Sequence, residues 1–258
     1  MSKKFIVATI EARMTSSRLP GKVLMEAIRG KSMLEFMINR VSRSKLVDKI
    51  VVATTINETD QPIVDLCNRL SVDYYRGSED DVLLRVLNAH KKFHSDIIVE
   101  LTGDCPLIDP EIIDQIILCY LNNDFDYVSN SHVRSYPDGF DVQVFSTNLL
   151  DDISKKTKDA YDRENVSSYF YKTDKFNIHG VIATKELFWP DLRVTLDDKG
   201  DYLLIHNIIK YLDISHGDSF KANDVINYLK ENLNLLELIK DARVSNAPYQ
   251  FIASAPTK

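Results

Sequence analysis

Short apolar runs alternate with amphipathic runs along the first half of the chain. "FIVATI" (5–10), "KIVVATT" (49–55), "VDYYRG" (72–77), "DIIVELT" (96–102) and "FDYVSN" (125–130) read as strands. The fourth is apolar on both alternating sets of positions, the signature of a strand buried on both faces of a parallel sheet. Helical patterns fill the gaps. In 32–43, Leu34, Met37, Ile38 and Val41 share a face behind Ser32 as cap. In 59–70, Asp60 is placed to cap and Pro62 falls in the first turn. The run 79–93 gathers acidic residues at its start, where the helix dipole favours them. In 109–121, Asp109 caps, Pro110 takes the first position, and Ile112, Ile113, Ile116 and Ile117 form a buried stripe. This βαβαβαβ rhythm predicts an α/β fold: a mainly parallel, Rossmann-like sheet with helices on both faces.

The rhythm changes near residue 132. "SYPDGFDVQVFS" (135–146) has turn chemistry followed by an alternating strand, and a helical pair is predicted at 147–156 and 161–171. "NIHGVIA" (177–183) reads as a strand, and "DLRVTL" (191–196) is expected to return to the sheet. An apolar helix at 201–212 and one or two helices within 220–243 follow. The tail "SNAPYQFIASAPTK" (245–258) has no periodicity and is expected to fray. The expected organisation is a single domain over 1–258 with an inserted antiparallel and helical segment at about 132–190.

Composition adds two constraints. The chain is 44% hydrophobic and 27% charged, so it is globular rather than disordered. Its net charge is −6, yet residues 1–31 hold seven Lys/Arg and two Asp/Glu, a local +5. That pattern argues against nucleic acid as a partner and for a small anionic ligand such as a nucleotide phosphate. No run is long enough to cross a bilayer, and the N-terminus lacks the apolar stretch of a signal peptide, so a cytoplasmic location and no membrane partner are expected. Three cysteines at unrelated spacings make neither a disulfide framework nor a zinc set. Cys67 and Cys119 are expected as inert core, and Cys105 as a packing residue inside "GDCP". His90 and His94 have i, i+4 spacing without the glutamate of H-E-x-x-H, and read as a solvated helix end. Trp189 reads as a packing anchor.

The candidate chemistry begins at "ARMTSSRLPGK" (12–22), directly after the first strand. Open parallel sheets bind ligands at the carboxyl ends of their strands. Ala12, Ser16, Ser17 and Gly21 are small enough to bring backbone N–H groups to phosphate oxygens, while Arg13, Arg18 and Lys22 supply charge. The loop is neither a Walker A sequence nor a G-x-G-x-x-G fingerprint. "LTGDCP" sets Asp104 just past the central strand, with Gly103 admitting a ligand closely. As a lone residue, Asp104 also fits a turn or cap, although Asp109 already caps the next helix.

"ARMTSSRLPGKVL", "RGSEDDVLLR" (76–85), "LTGDCPLIDP" (101–110), "YPDGFDVQVFS" (136–146) and "RVTLDDKGDYLLI" (193–205) together resemble the cytidylyltransferase family. Its members include enzymes that activate sialic acid and 3-deoxy-manno-octulosonate. The likeness spans about residues 5–240 and is greatest to the spore-coat polysaccharide branch. It implies a nucleotidyltransferase fold, CTP as co-substrate, Mg²⁺ or Mn²⁺, a homodimer, and transfer of CMP to a small anionic sugar or sugar-acid with diphosphate released. It implies that Asp104 and Asp197 hold the metal, that Arg18 and Lys22 grip the outer phosphates, and that Ala12 and Arg13 meet the nucleotide. Ser78 and Thr102 become candidates for cytosine and ribose contacts. Asp141, Gln143, Arg163 and Glu164 become candidates for the acceptor side. The chain departs from the family at 197–201, where "DDKGD" replaces an acidic-proline pattern, leaving Asp198 as an alternative metal ligand. It also departs at Gln143 and Asn165, where relatives commonly carry Glu and His.

Two other readings stay open. A glycosyltransferase on a similar fold would need a D-x-D motif, which "DFD" (124–126) spells, though ahead of a strand. A non-catalytic nucleotide-binding relative would have no use for both Asp104 and Asp197.

Overall fold

A computed structural model describes residues 3–240 and 250–251. The central sheet contains β1 (Ile6–Glu11), β2 (Lys49–Thr55), β3 (Asp73–Gly77), β4 (Ile97–Thr102), β5 (Tyr127–Ser129), β6 (Gln143–Ser146) and β7 (Ile178–Gly180). Their spatial order is β7-β5-β6-β4-β1-β2-β3. β1 pairs in parallel with β2 and β4, β2 with β3, and β5 with β7. Among the described strands of this sheet, only β6 runs antiparallel, wedged between β4 and β5. The chain order reverses direction between β1 and β4, so their carboxyl ends form the switch-point crevice of an open α/β sheet.

Helices α1 (Met33–Val41), α2 (Gln61–Leu70), α3 (Val82–Lys92) and α4 (Pro110–Leu121) carry the parallel crossovers. Past β6 come α5 (Thr147–Lys156), α6 (Ala160–Glu164) and α7 (Ser168–Tyr171), and past β7 come α8 (Lys199–His216) and α9 (Ala222–Glu231). Alternation along β4 sends Val99 to the core under α1, α4 and α8, and its neighbour Ile98 to a second core under α3, α5 and α7. Ser32 and Asp109 cap as expected, accepting from Glu35 N at 3.2 Å and Glu111 N at 2.8 Å. No helix among the described residues is long and apolar enough to cross a membrane.

Several expectations are corrected. Residues 191–196 do not join the sheet. Leu192 O accepts from Asp138 N at 2.9 Å, and Val194 N and Leu196 N donate to Asp138 O and Asp104 O at 2.8 and 2.7 Å, so this backbone is bonded to loops. The helix expected at 161–171 is two short ones, broken at residues 165–167. His90 is no solvated helix end: it is fully buried, with Nε2 3.3 Å from Thr9 Oγ1, and burial pushes its pKa down to about 3. His94 is exposed, and Cys119 is only half-buried. In the tail, Gln250–Phe251 pair in parallel with Val133–Arg134; 245–249 and 252–258, like 241–243, lie outside the described residues.

Candidate active site

The loop after β1 is pinned by its own backbone and by one buried carboxylate. Gly21 N donates to Met14 O at 2.8 Å, closing the loop on itself. Asp60, expected only as a cap for α2, makes no cap hydrogen bond. It is fully buried and accepts from Met14 N at 2.8 Å, from Thr54 Oγ1 at 3.1 Å and from both Thr55 N and Oγ1. Glu79 holds the other side of the loop, pairing with Arg13 at 3.2 Å and accepting from Thr15.

The loop after β4 is braced from below. Arg40 of α1 is 1% exposed, donates to the carbonyls of Ile108 and Leu107 at 2.8 and 3.2 Å, and lies 4.2 Å over the Phe220 ring. Gly103 donates to Glu11 O at 2.8 Å, and a Cβ there would stand 2.5 Å from that same oxygen. Only glycine lets the two strand ends approach so closely.

These loops and residues 193–201 converge. Lys22 Nζ lies 2.9 Å from Asp197 Oδ1 and 3.4 Å from Asp104 Oδ2, and Arg18 reaches Asp197 Oδ1 at 2.8 Å. Arg193 supports Asp197 from behind at 3.3 Å and pairs with Asp201. Asp201 accepts from the backbone N–H groups of Asp197 and Asp198 at 2.9 and 3.0 Å, which sets where Asp197 sits. Asp198 is the cap of α8 in a capping box with Asp201, so its carboxylate is already engaged away from Asp104. Burial alone would raise the Asp104 pKa; Lys22 and the Thr102 hydroxyl outweigh it and hold the carboxylate below its ordinary range. Burial likewise works to lower Lys22, and the two aspartates outweigh it and raise it.

Two cavities meet at this cluster. One, of about 290 Å³, is lined by Ala12, Arg13, Ser16, Ser17, Arg18, Lys22, Thr102 and Gly103. The other, of about 270 Å³, is lined by Asp141, Gln143, Ser167 and Tyr171 among others. Glu11, Asp104, Glu164 and Asp197 border both. Gly21 shapes the loop at φ 74° without lining either cavity.

Two expected contacts fall elsewhere. Ser78 Oγ accepts from Asp81 N at 3.1 Å as a turn residue and lines neither cavity. Arg163 donates to Ser154 O at 2.6 Å and Thr157 O at 2.9 Å and pairs with Asp81, which clamps α5 to α6. The Asp124–Asp126 triplet sits at the amino end of β5, opposite the site, where Asp126 accepts from Asn177 N at 2.9 Å.

Sequence reasoning missed Glu11, Glu100, Asp138 and Arg193. The β1–β4 register pairs Thr9 with Glu100 and Glu11 with Thr102, which sets both glutamates on one face of the sheet. Glu11 Oε1 and Glu100 Oε2 are solvent-free, and the two carboxyl groups hydrogen-bond to each other. Burial pushes Glu11 up to about 7 against the pull of Arg85, and burial together with Glu11 raises Glu100 further. Burial and the neighbouring Asp141 push Asp138 up to about 7. A visible signal existed for Glu100: a lone acid inside the apolar run "DIIVELT".

Comparison with known proteins gives the family. The chain is 36% identical over 239 residues to an uncharacterised protein of Methanocaldococcus jannaschii, covering 92% of this chain and 96% of that one. It is 31% identical over 234 residues to the spore coat polysaccharide biosynthesis protein SpsF of Bacillus subtilis, covering 88% and 95%. A shorter match, 36% over 115 residues and 43% of each chain, is to the 3-deoxy-manno-octulosonate cytidylyltransferase of Pelobacter propionicus. The solved structure of a cytidylyltransferase from Leptospira borgpetersenii superposes with a TM-score of 0.85 at 30% identity, covering 95% of this chain and 100% of that one. The family model described as cytidylyltransferase matches residues 7–188, which include the basic loop and both crevice strands. The chain therefore belongs to the cytidylyltransferase family.

Proposed function

We propose that the protein transfers CMP from CTP to a hydroxyl of a sugar or sugar-acid acceptor, releasing diphosphate, in the synthesis of a polysaccharide. The observation that carries this reading is Lys22 set between Asp104 and Asp197 at the junction of the two cavities. The cavity beside the basic loop takes the triphosphate. Arg18 and Lys22 hold the outer phosphates and stabilise the charge that develops on the leaving diphosphate. Backbone groups of 12–17, with Arg13, Thr102 and Gly103, meet the rest of the nucleotide. The second cavity takes the acceptor beside Asp141, Gln143 and Glu164. The acceptor oxygen bonds to the α-phosphorus, the bond from that phosphorus to the bridging oxygen breaks, diphosphate leaves with the electron pair, and the hydroxyl proton is released to water. The chain's contribution is alignment and charge.

Asp104 and Asp197 are hard oxygen donors of the number that Mg²⁺ or Mn²⁺ takes from protein when phosphates complete its shell, so the residues fit such an ion. When bound, it neutralises phosphate charge. Pairing as a homodimer through residues 132–190 belongs to the same proposal, and light scattering at the mass of two chains tests it.

The activity is tested by incubating the protein with CTP, Mg²⁺ and a panel of sugars and sugar acids, and measuring diphosphate. Acceptor-dependent release that vanishes in Asp104→Ala is the expected result. Turnover only with a nucleotide sugar, or nucleotide binding without turnover across the panel, overturns it.

A further inference from the structure

Arg85 is a buried cation with donors left over. It is 4% exposed, stands in the first turn of α3, and lines the cavity beside the basic loop. Its orientation is set from two sides. A Cβ on Gly77, at the end of β3, would stand 2.8 Å from Arg85 Cγ, so the stem of the side chain lies tight against that strand end. Nη1 donates to Ser78 O and, at 3.3 Å, to Glu79 O. Ser78, expected at a cytosine, instead holds Arg85 through its carbonyl.

Among the described residues the guanidinium makes no other hydrogen bond and no ion pair, and Nε is shut off from solvent without an acceptor. What is left is the edge formed by Nε and Nη2, two parallel N–H bonds in a fork. Buried donors without acceptors are costly, and a ligand that supplies two adjacent acceptors relieves that cost.

The place of the fork in the cavity selects the ligand group. Arg18 and Lys22, the cations suited to the outer phosphates, gather at Asp104 and Asp197. The charged groups that act on Arg85 are Glu11, Arg13, Asp60 and Glu79 instead, so it stands at the other end of the cavity. Val82, three residues earlier on the same helix and 7% exposed, lines that cavity too and offers an apolar side to a flat ring. Cytosine carries two adjacent acceptors, O2 and N3. Uracil does not, because its N3 bears a hydrogen that would face an N–H of the fork. A site built on such donors rejects the base that cannot accept from them.

We infer that Arg85 is a specificity residue of the nucleotide site, donating to O2 and N3 of a cytosine base and rejecting uracil. The inference rests on the proposed use of CTP.

Calorimetric titration of the full chain, with Mg²⁺ and no acceptor, against CTP, UTP and 3-deaza-CTP tests it. The last keeps the triphosphate, O2 and the 4-amino group and replaces N3 by C–H. UTP and 3-deaza-CTP each bind at least tenfold more weakly than CTP, and both gaps shrink at least threefold in Arg85→Lys, which keeps the charge and loses the fork. A smaller gap for either analogue in the wild type, or gaps that shrink by less in Arg85→Lys, overturns the inference. The wild-type series decides alone if Arg85→Lys does not fold. No binding of CTP overturns the inference together with the proposed transfer. Base-selective binding without diphosphate release across the acceptor panel removes the transfer and leaves this inference standing; acceptor-dependent release from CTP without the binding gaps does the reverse.

Discussion

Leu196 donates its backbone N–H to the carbonyl of Asp104 at 2.7 Å. This bond joins two loops more than ninety residues apart in the chain, each carrying one member of the acidic pair. The spacing of the pair is therefore a main-chain property. Asp104→Asn should keep the geometry and remove one charge. We expect kcat to fall by about two to three orders of magnitude, with stability changed by no more than about 1 kcal/mol. Diphosphate release and thermal melts measure the two, and near-wild-type turnover would remove Asp104 from the machinery.

Gly103→Ala probes the same seam from the other side. The new Cβ would meet the Glu11 carbonyl at 2.5 Å, a backbone atom that cannot rotate away. A loss of about 2 kcal/mol is expected, with kcat/KM at least tenfold lower because both strand ends must part. Urea melts and steady-state rates check this; an undisturbed rate would mean that the seam tolerates a shift.

His90 makes a pH prediction. Its folded pKa, about 3, lies below the ordinary 6.5, so above pH 6.5 it is neutral in both states and contributes no pH dependence. Between pH 6.5 and 3 the unfolded chain takes up a proton that the folded chain refuses. That costs about 1.4 kcal/mol of stability per pH unit. His90→Leu removes this slope, so the stability difference between variant and wild type should shift in the variant's favour as pH drops from 7 to 4. Parallel denaturation curves across that range would contradict the assignment.

Arg163→Ala separates a clamp from a pocket residue. Arg163 holds the carbonyls of Ser154 and Thr157, so its loss should cost about 1–3 kcal/mol. KM for CTP and for the acceptor should stay within twofold. A raised acceptor KM at unchanged stability would return Arg163 to the binding surface.

The parallel half of the fold was legible because its signals are local. Apolar strands of period two, Ser32 and Asp109 as caps, and Pro110 at a first turn all declare themselves within a few residues. Residues 191–196 misled for the same reason. Their apolar alternation is real, but it buries Leu192, Val194 and Leu196 while the backbone bonds go to the loops at 104 and 138. Which partner a backbone finds is a long-range fact. That the cationic loop and Asp104 each directly follow a strand was readable. Asp60, Arg40 and Asp201 were not, since a buried charge that braces another segment has the same one-letter code as a cap or a surface residue. Ser78 and Arg163 erred in the opposite direction: nearness in sequence to a motif does not fix where a side chain points.

The one reversed strand has a lasting consequence. Because β6 enters the sheet at the edge where β1 and β4 leave it, the stretch that feeds it borders the crevice, and Gln143 stands opposite Glu100. Under the proposed reaction, the residues ahead of Gln143 can change while the basic loop and Asp104 stay anchored behind strands that run the other way. Under that reading, change on the acceptor side and constancy on the phosphate side follow separate directions of travel through the same sheet.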